Sequence, residues 1–389
     1  MHNILSGRII KINSILVAII IAANLVTISL SILTGLDKNL IIIPFIFCLL
    51  ISILLNKGKN AIIIILLSVF FLLFFFFSYL QVGVNIYLIE YFQSFLIFGV
   101  ISFFVVAQPF DHEKVLHYTM VIYGFLSLVL LEMDIQNMPA GNKLGFGYLI
   151  LPAILGSMYG LFKPKLKPFI KLFYLFIFIW YGYFMVLAGT RGAYFSIVLY
   201  VFILLYLKSN LNYKKFITLL VLISISVVVY LNMMEILLNL KEILYSLNID
   251  SNFIDKSIIK IQNDNVDNGR YELYEIAFYS FSKSWMYGNG IGFFQYLNDI
   301  YVHNVFLEML DEGGILLTIP VTICVIYGTF LMFLSKKIDK GHKLFLCFVF
   351  CLAIPKVMVS SIYWKEQSFW IFLMVTILLS SGRRLTTEK

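Results

Sequence analysis

The feature that leaves this chain the fewest options is its repeated return to apolar runs long enough to cross a lipid bilayer. A spanning helix needs about 20 mostly apolar residues, because every backbone N–H and C=O in hydrocarbon must find its partner inside the segment. Twelve segments qualify: 9–33, 40–55, 61–80, 86–107, 115–133, 146–162, 169–189, 192–207, 215–233, 304–334, 343–361 and 363–381. The second, sixth and eighth are short. Of the 389 residues, 61% are apolar and 13% charged, against about 25% charged in ordinary soluble domains. No single core hides that much apolar surface, so much of it must meet lipid. The expected fold is an all-α polytopic integral membrane protein of about 12 transmembrane helices, read as one membrane domain over 1–389. The first apolar stretch spans a bilayer and lacks a small-residue cleavage site, so it is expected to stay as the first helix. The four cysteines, Cys48, Cys324, Cys347 and Cys351, all sit in apolar runs and read as small buried hydrophobes.

Orientation follows from Lys and Arg, which accumulate in cytoplasmic loops. With the N-terminus inside, the cytoplasmic segments hold 19 of the 29 basic residues and four of the 21 acids. That side nets +15, and everything else nets −7. The overall charge of +8 is therefore a topology signal and not a nucleic-acid footprint, for which an aqueous basic face with stacking aromatics would be needed. Both termini fall inside and the long interruption 234–303 falls outside.

That extracytoplasmic loop carries helical patterning. Residues 235–248 place apolar side chains at helical spacing, with Lys241 and Glu242 opposite, as in a helix lying on a bilayer surface. A second amphipathic piece runs from Asn252 to Ile261, a polar stretch from Gln262 to Gly269, and helical spacing resumes at Arg270. Gly288, Gly290 and Gly292 then give a glycine-dense turn without the strand–helix context or the Lys of a nucleotide fingerprint. A turn that lets backbone approach closely is the first reading, and a pyrophosphate cradle the second.

Three side chains stand out. Arg191 lies between two apolar helices, bracketed by Gly189 and Gly192, just before a helix N-terminus that favours anions. Placing Arg at a helix centre costs about 2.5–3.5 kcal/mol, although near an interface it can snorkel. Anion binding and simple interfacial placement both fit. Of the five histidines, His2, His112, His117 and His342 fall at or near the cytoplasmic side and read as solvated. His303 alone is external, where the loop re-enters the membrane as a helix, and the positive end of that helix disfavours imidazolium. A general base and a structural histidine are both open; a metal ligand is not favoured, since no second His or Cys sits at ligand spacing. Glu90, Glu308 and Lys356 lie in or near apolar stretches, where ion pairing or boundary placement is expected unless one faces a cavity.

Three separated pieces together resemble the polysaccharide polymerase and O-antigen ligase superfamily of bacterial inner membranes. They are Ala188-Gly-Thr-Arg191-Gly-Ala-Tyr194; Gly269-Arg270-Tyr-Glu-Leu-Tyr-Glu-Ile-Ala277 with the trailing Gly288-Asn-Gly-Ile-Gly-Phe293; and His303-Asn-Val-Phe-Leu-Glu308 with Asp311-Glu-Gly-Gly314. The resemblance implies a lipid-dependent glycosyltransferase working on undecaprenyl-pyrophosphate-linked glycans outside the cytoplasmic membrane, with no metal or other cofactor. It implies that Arg191 and Arg270 hold the donor pyrophosphate and that His303 deprotonates the acceptor hydroxyl, all three meeting in one pocket. Gly189, Gly192, Tyr194, Tyr274, Gly290 and Glu308 are the expected substrate-binding neighbours. The expected partners are the lipid-linked glycan, the bilayer and a chain-length regulator protein. Ligases of this kind often carry a second His two residues before the essential one, and Tyr301 stands there instead. That departure favours a polymerase of O-antigen or capsule repeat units, with a ligase to lipid A-core as the alternative. A lipid-linked-glycan flippase would also have about a dozen spans, but no pseudo-repeated halves are visible, and a structural scaffold leaves Arg191, Arg270 and His303 unexplained.

Overall fold

A computed structural model describes residues 2–35, 42–58, 60–132, 140–163, 166–208, 232–246, 254–255, 258–259, 269–336 and 338–381. The helices run α1 (His2–Thr34), α2 (Ile42–Asn56), α3 (Ala61–Val82), α4 (Ile86–Val106), α5 (His112–Leu126), α6 (Ala140–Phe162), α7 (Pro168–Ala188), α8 (Arg191–Lys208), α9 (Met233–Ser246), α10 (Arg270–Lys283), α11 (Phe293–Asn298), α12 (Val305–Phe333), α13 (Lys340–Val359) and α14 (Gln367–Ser380). No strand occurs among the described residues. The chain is an all-α polytopic membrane protein. Among the described residues, seven helices are long and apolar enough to cross a membrane: most of α1 and α6, together with α3, α4, α7, α12 and α13. Three shorter apolar helices, α2, most of α8 and α14, coincide with further expected segments. The segment expected over 115–133 is helical only to Leu126 and then tightens into a 3-10 turn at Val129–Glu132. Nearly all of the expected segment 215–233 lies outside the described residues.

Two compact units emerge: Met1–Ile122 with Gly269–Lys389, and Tyr123–Asn268. In the first, a knot of large rings forms the core. Phe71, Phe95, Trp364 and Trp370 are fully buried, with Phe75 nearly so. Phe75 and Trp364 have ring centroids 4.6 Å apart, and Phe71 and Trp370 4.9 Å. A π-helical stretch, Phe95–Val100, turns Phe95 into this knot. Gly99 makes room for it, since a Cβ there would lie 2.5 Å from the Phe95 ring. The opposite face of α3 exposes Ile62, Leu66, Leu73, Phe77 and Leu80, as a lipid-facing stripe should.

The reading of His112 and His342 as solvated is corrected here. His342 is buried, its Nδ1 meets the Asp339 carboxylate, and its ring packs against that of half-buried His112, with centroids 5.0 Å apart. Gly341 lets that approach occur, because any side chain there would collide with His112. Periodicity could not show this, since the contact joins α5 to α13 across more than two hundred residues.

In the second unit, tyrosines tie helix to helix. Tyr123 donates to the Leu149 carbonyl at 2.8 Å, and Tyr181 to the Tyr123 carbonyl at 2.7 Å. The amphipathic helix expected from Glu235 is α9. It buries Leu237 against Ile254 and Ile258 and pairs Lys241 with Asp255 at 2.7 Å, while Leu238, Leu240, Ile243 and Tyr245 stay exposed.

Candidate active site

The site of the first unit is built on a broken helix. α12 is interrupted at Gly314, whose φ of 60° and ψ of −156° no helix accommodates. A break in a spanning helix frees backbone groups that lipid cannot satisfy, so protein must supply partners. The stretch 284–292 does so. Trp285 and Met286 carbonyls accept from Ile315 and Leu316 N–H at 3.0 and 3.4 Å, while Asn289 and Gly290 N–H donate to the Asp311 and Glu312 carbonyls at 2.6 and 3.1 Å. The approach is close enough to demand glycine on both sides. A Cβ on Gly288 would lie 2.5 Å from the Glu312 backbone, and one on Gly314 2.4 Å from that of Met286.

The glycine turn is thus the close-approach device and not an anion cradle. The N–H of Gly288 goes to the Ser284 carbonyl, Ile291 to the Ser78 hydroxyl, and Gly292 to the Glu312 carboxylate. With Asn289 and Gly290 already bound, every donor from 288 to 292 is taken. Gly290, expected to bind substrate, instead packs against Val82 with a φ of 102°.

Behind the turn, the first half of α12 carries Glu308, Asp311 and Glu312, all buried. Glu312 accepts from Gly292 N–H, Tyr363 Oη–H and Trp364 Nε1–H at 3.0, 2.6 and 2.8 Å. Asp311 accepts from the Asn289 side chain at 2.9 Å. Glu308 accepts from Gln295 at 3.0 Å and is only 1% exposed. A hydrogen bond from the Gln295 side-chain amide stands where an ion pair was expected, and burial makes Glu308 a support of the platform. Glu90 and Lys356 do pair as expected, with Lys365 at 2.6 Å and Glu366 at 2.7 Å.

His303 stands at the lip of this platform. The left-handed Asp299 closes α11, the left-handed His303 follows with φ 60°, and extended Asn304 caps α12 by accepting from Phe306 and Leu307 N–H. Left-handed backbone is uncommon away from glycine, and Asp and His are among the residues that tolerate it best. A small core of Ala277, Phe294 and Val302, with Leu273, Tyr274 and Leu307 against it, pins the loop to α10 and α11. Tyr274, expected at the substrate, therefore contributes first to that packing. Burial, and next the positive charge of Arg270, push the His303 imidazole down to about 4. It is uncharged and able to accept a proton at neutral pH. Arg270 opens α10 behind left-handed Gly269 and donates from one Nη to the Val359 carbonyl, at the C-terminal end of α13, at 2.8 Å. One donor thus fixes the guanidinium, which has five N–H groups in all. Arg270 and His303 are near enough for the guanidinium charge to act on the imidazole.

Arg191 belongs to the second unit. It is the first residue of α8, and Gly189, with φ 62°, ends α7 by donating to the Met185 carbonyl. The corner is clamped twice more. Thr190 Oγ1 donates to the Lys143 carbonyl at 3.1 Å, and Tyr194 Oη donates to that of Met185 at 3.0 Å. Gly147 gives α6 room to meet Thr190, whose side chain would collide with any Cβ there. Gly192 is buried and packs within the corner, so Gly189, Gly192 and Tyr194 serve first to shape it. Sequence reasoning passed over Lys143, a buried lysine brought to this corner by α6. Its signal was a charge inside an otherwise apolar helical run. Tyr301, a departure from the resembled pattern, lays its ring on His303, with centroids 3.8 Å apart.

The class these features define is a polytopic helical membrane protein with a cationic, histidine-bearing site beside a broken helix. Over residues 176–322, from within α7 to within α12, the chain matches the family model described as O-antigen ligase. That stretch includes Arg191, Arg270 and His303. No curated protein matches the chain.

Proposed function

We propose that the protein is a glycosyltransferase that moves a glycan from undecaprenyl pyrophosphate onto a sugar hydroxyl at the outer face of the bacterial cytoplasmic membrane, with both termini inside. The observation that carries this reading is the pairing of an uncharged imidazole, His303, with the anchored guanidinium of Arg270. The chemistry needs both. The acceptor hydroxyl must lose its proton as it attacks the anomeric carbon, and a positioned base is worth typically about 10²- to 10⁴-fold. The departing pyrophosphate accumulates charge, which planar guanidiniums offset through bidentate bonds. Arg270 serves there, and Arg191 joins it in this reading. Direct attack inverts the anomeric centre, and the side chains supply what the reaction requires without a metal.

Tyr301 in place of the second histidine supports a polymerase joining repeat units of O-antigen or capsule. The match to the O-antigen ligase family favours the second reading, transfer of finished glycan to lipid A-core. His303→Ala decides the chemistry and the surface glycan decides the reading. With membrane insertion confirmed, a gel should show a single repeat unit on the acceptor for a polymerase and no attached polymer for a ligase. An unchanged ladder would discard the assignment. A repeat trapped inside the cell would point to a flippase.

A further inference from the structure

The group in ring contact with His303 is Tyr301, two residues earlier. The centroids are 3.8 Å apart and the planes are inclined by 47°, so the phenol ring lies over one face of the imidazole. Both side chains are half-buried, and His303 Nδ1 is sealed from solvent without a hydrogen-bond partner among the described residues. The backbone forces this meeting. Val302 between them is fully buried in the small core of α10 and α11, and the left-handed φ of His303 turns the imidazole back along the chain. Such a backbone persists only where its surroundings determine it.

We propose that Tyr301 is a positioning residue for His303, its ring covering one imidazole face so that water is kept away and the base is held in one orientation. The proposal rests on the reading of His303 as the base, and the two can fail separately. Among the described residues, the charge that acts on the imidazole is Arg270 of α10, and the covering ring is Tyr301 of the preceding loop. Glu308, in the first turn of the helix that follows His303, is directed to Gln295. Burial is the larger of the two causes that lower the imidazole. Uncovering one face should therefore undo a good part of that lowering while Arg270 stays in place.

The test reads His303 directly. Imidazole reacts with diethyl pyrocarbonate only in its neutral form, so the extent of labelling at the His303 side chain against pH, located by mass spectrometry on the whole protein in detergent, gives its ionisation without any activity. The expected midpoint is near 4 in the wild type. Tyr301→Phe retains the ring and should keep that midpoint, whereas Tyr301→Ala should raise it by about 1 pH unit or more toward 6.5. Tyr301→Leu, which fills space without a flat ring, should give a smaller rise and serves if the alanine variant does not insert. A midpoint that stays put in both the alanine and leucine variants overturns the proposal, and so does one that moves equally in Tyr301→Phe. A shifted midpoint with glycan assembly indifferent to it would instead count against His303 as the base while leaving the contact established. If both readings hold, the acid limb of transfer rises in step with the labelling midpoint in Tyr301→Ala, with kcat falling more than KM changes.

Discussion

Arg270 and Arg191 sit at similar helix starts whose surroundings are built by different elements. Each opens a helix just behind a left-handed glycine, Gly269 in one case and Gly189 in the other. Arg270 is held by its own guanidinium, which reaches the Val359 carbonyl at the end of α13. Around Arg191 the corner is held by Thr190 on the Lys143 carbonyl and Tyr194 on that of Met185. The contrast teaches that a short motif sets the direction in which an arginine leaves the backbone. What then immobilises the charge comes from elements distant in the chain.

The strongest way to break the comparison is to remove the platform on which one arginine's unit depends. In Gly314→Ala the new Cβ would lie 2.4 Å from the Met286 backbone at a φ of 60°. Backbone cannot give way as a flexible side chain can, so a loss of roughly 2–4 kcal/mol is expected. Thermal unfolding in detergent measures it. Gly182→Ala in α7, where a Cβ meets nothing within 4 Å, is the control and should be neutral. Equal melting of the two variants would mean that the latch between 284–292 and α12 is not holding the fold.

A smaller and more selective effect comes from exchanging the cations. Arg270→Lys keeps the charge but loses the planar fork, and a single ammonium cannot hold the Val359 carbonyl and also present paired donors. A fall in glycan transfer of about tenfold or more is expected from losing one charge-assisted bond. Arg191→Lys should fall less, because the backbone clamps of its corner survive the change. Equal losses would erase the distinction between the two modes of fixing. The smallest effect tests those clamps directly: Tyr194→Phe deletes the bond to Met185 at 3.0 Å and should cost about 1 kcal/mol of stability. A melting temperature unmoved by it would assign the corner's shape to Gly189 and Thr190 alone. The acid limb of transfer supplies a last check on the Arg270 side. With His303 lowered to about 4, its neutral form persists as pH falls past the ordinary histidine range, so activity should hold to near that value before protonation removes the base.

Much of the fold was legible because hydrocarbon tolerates so few backbone arrangements. Segment after segment of α1, α3, α4, α7, α12 and α13 begins and ends within a few residues of where apolar character begins and ends. The amphipathic α9 and the restart of helix at Arg270 were legible for the same reason, since one-faced apolar spacing permits little else. The break in α12 was not. Gly313 and Gly314 lie inside a stretch that reads as one span, and nothing local says that Trp285 and Met286 will receive the freed N–H groups. Nor did the text of the chain distinguish Glu308, drawn inward to Gln295, from Glu90, drawn outward to Lys365. In both cases the deciding partner comes from elsewhere, and a pattern read along one helix carries no record of it.

By itself the sequence determined that this chain must be a set of lipid-crossing helices, because unsatisfied peptide groups are intolerable in hydrocarbon and every long apolar run must satisfy its own. It also supplied Arg191, Arg270 and His303 as the side chains with the means to hold an anion and take a proton. The tertiary structure decided how the last two are tuned: Val359 anchors the guanidinium, and burial beside Tyr301 keeps the imidazole uncharged. Protonation and orientation depend on neighbours within a few ångströms in space, and chain order leaves those neighbours open until the helices have packed.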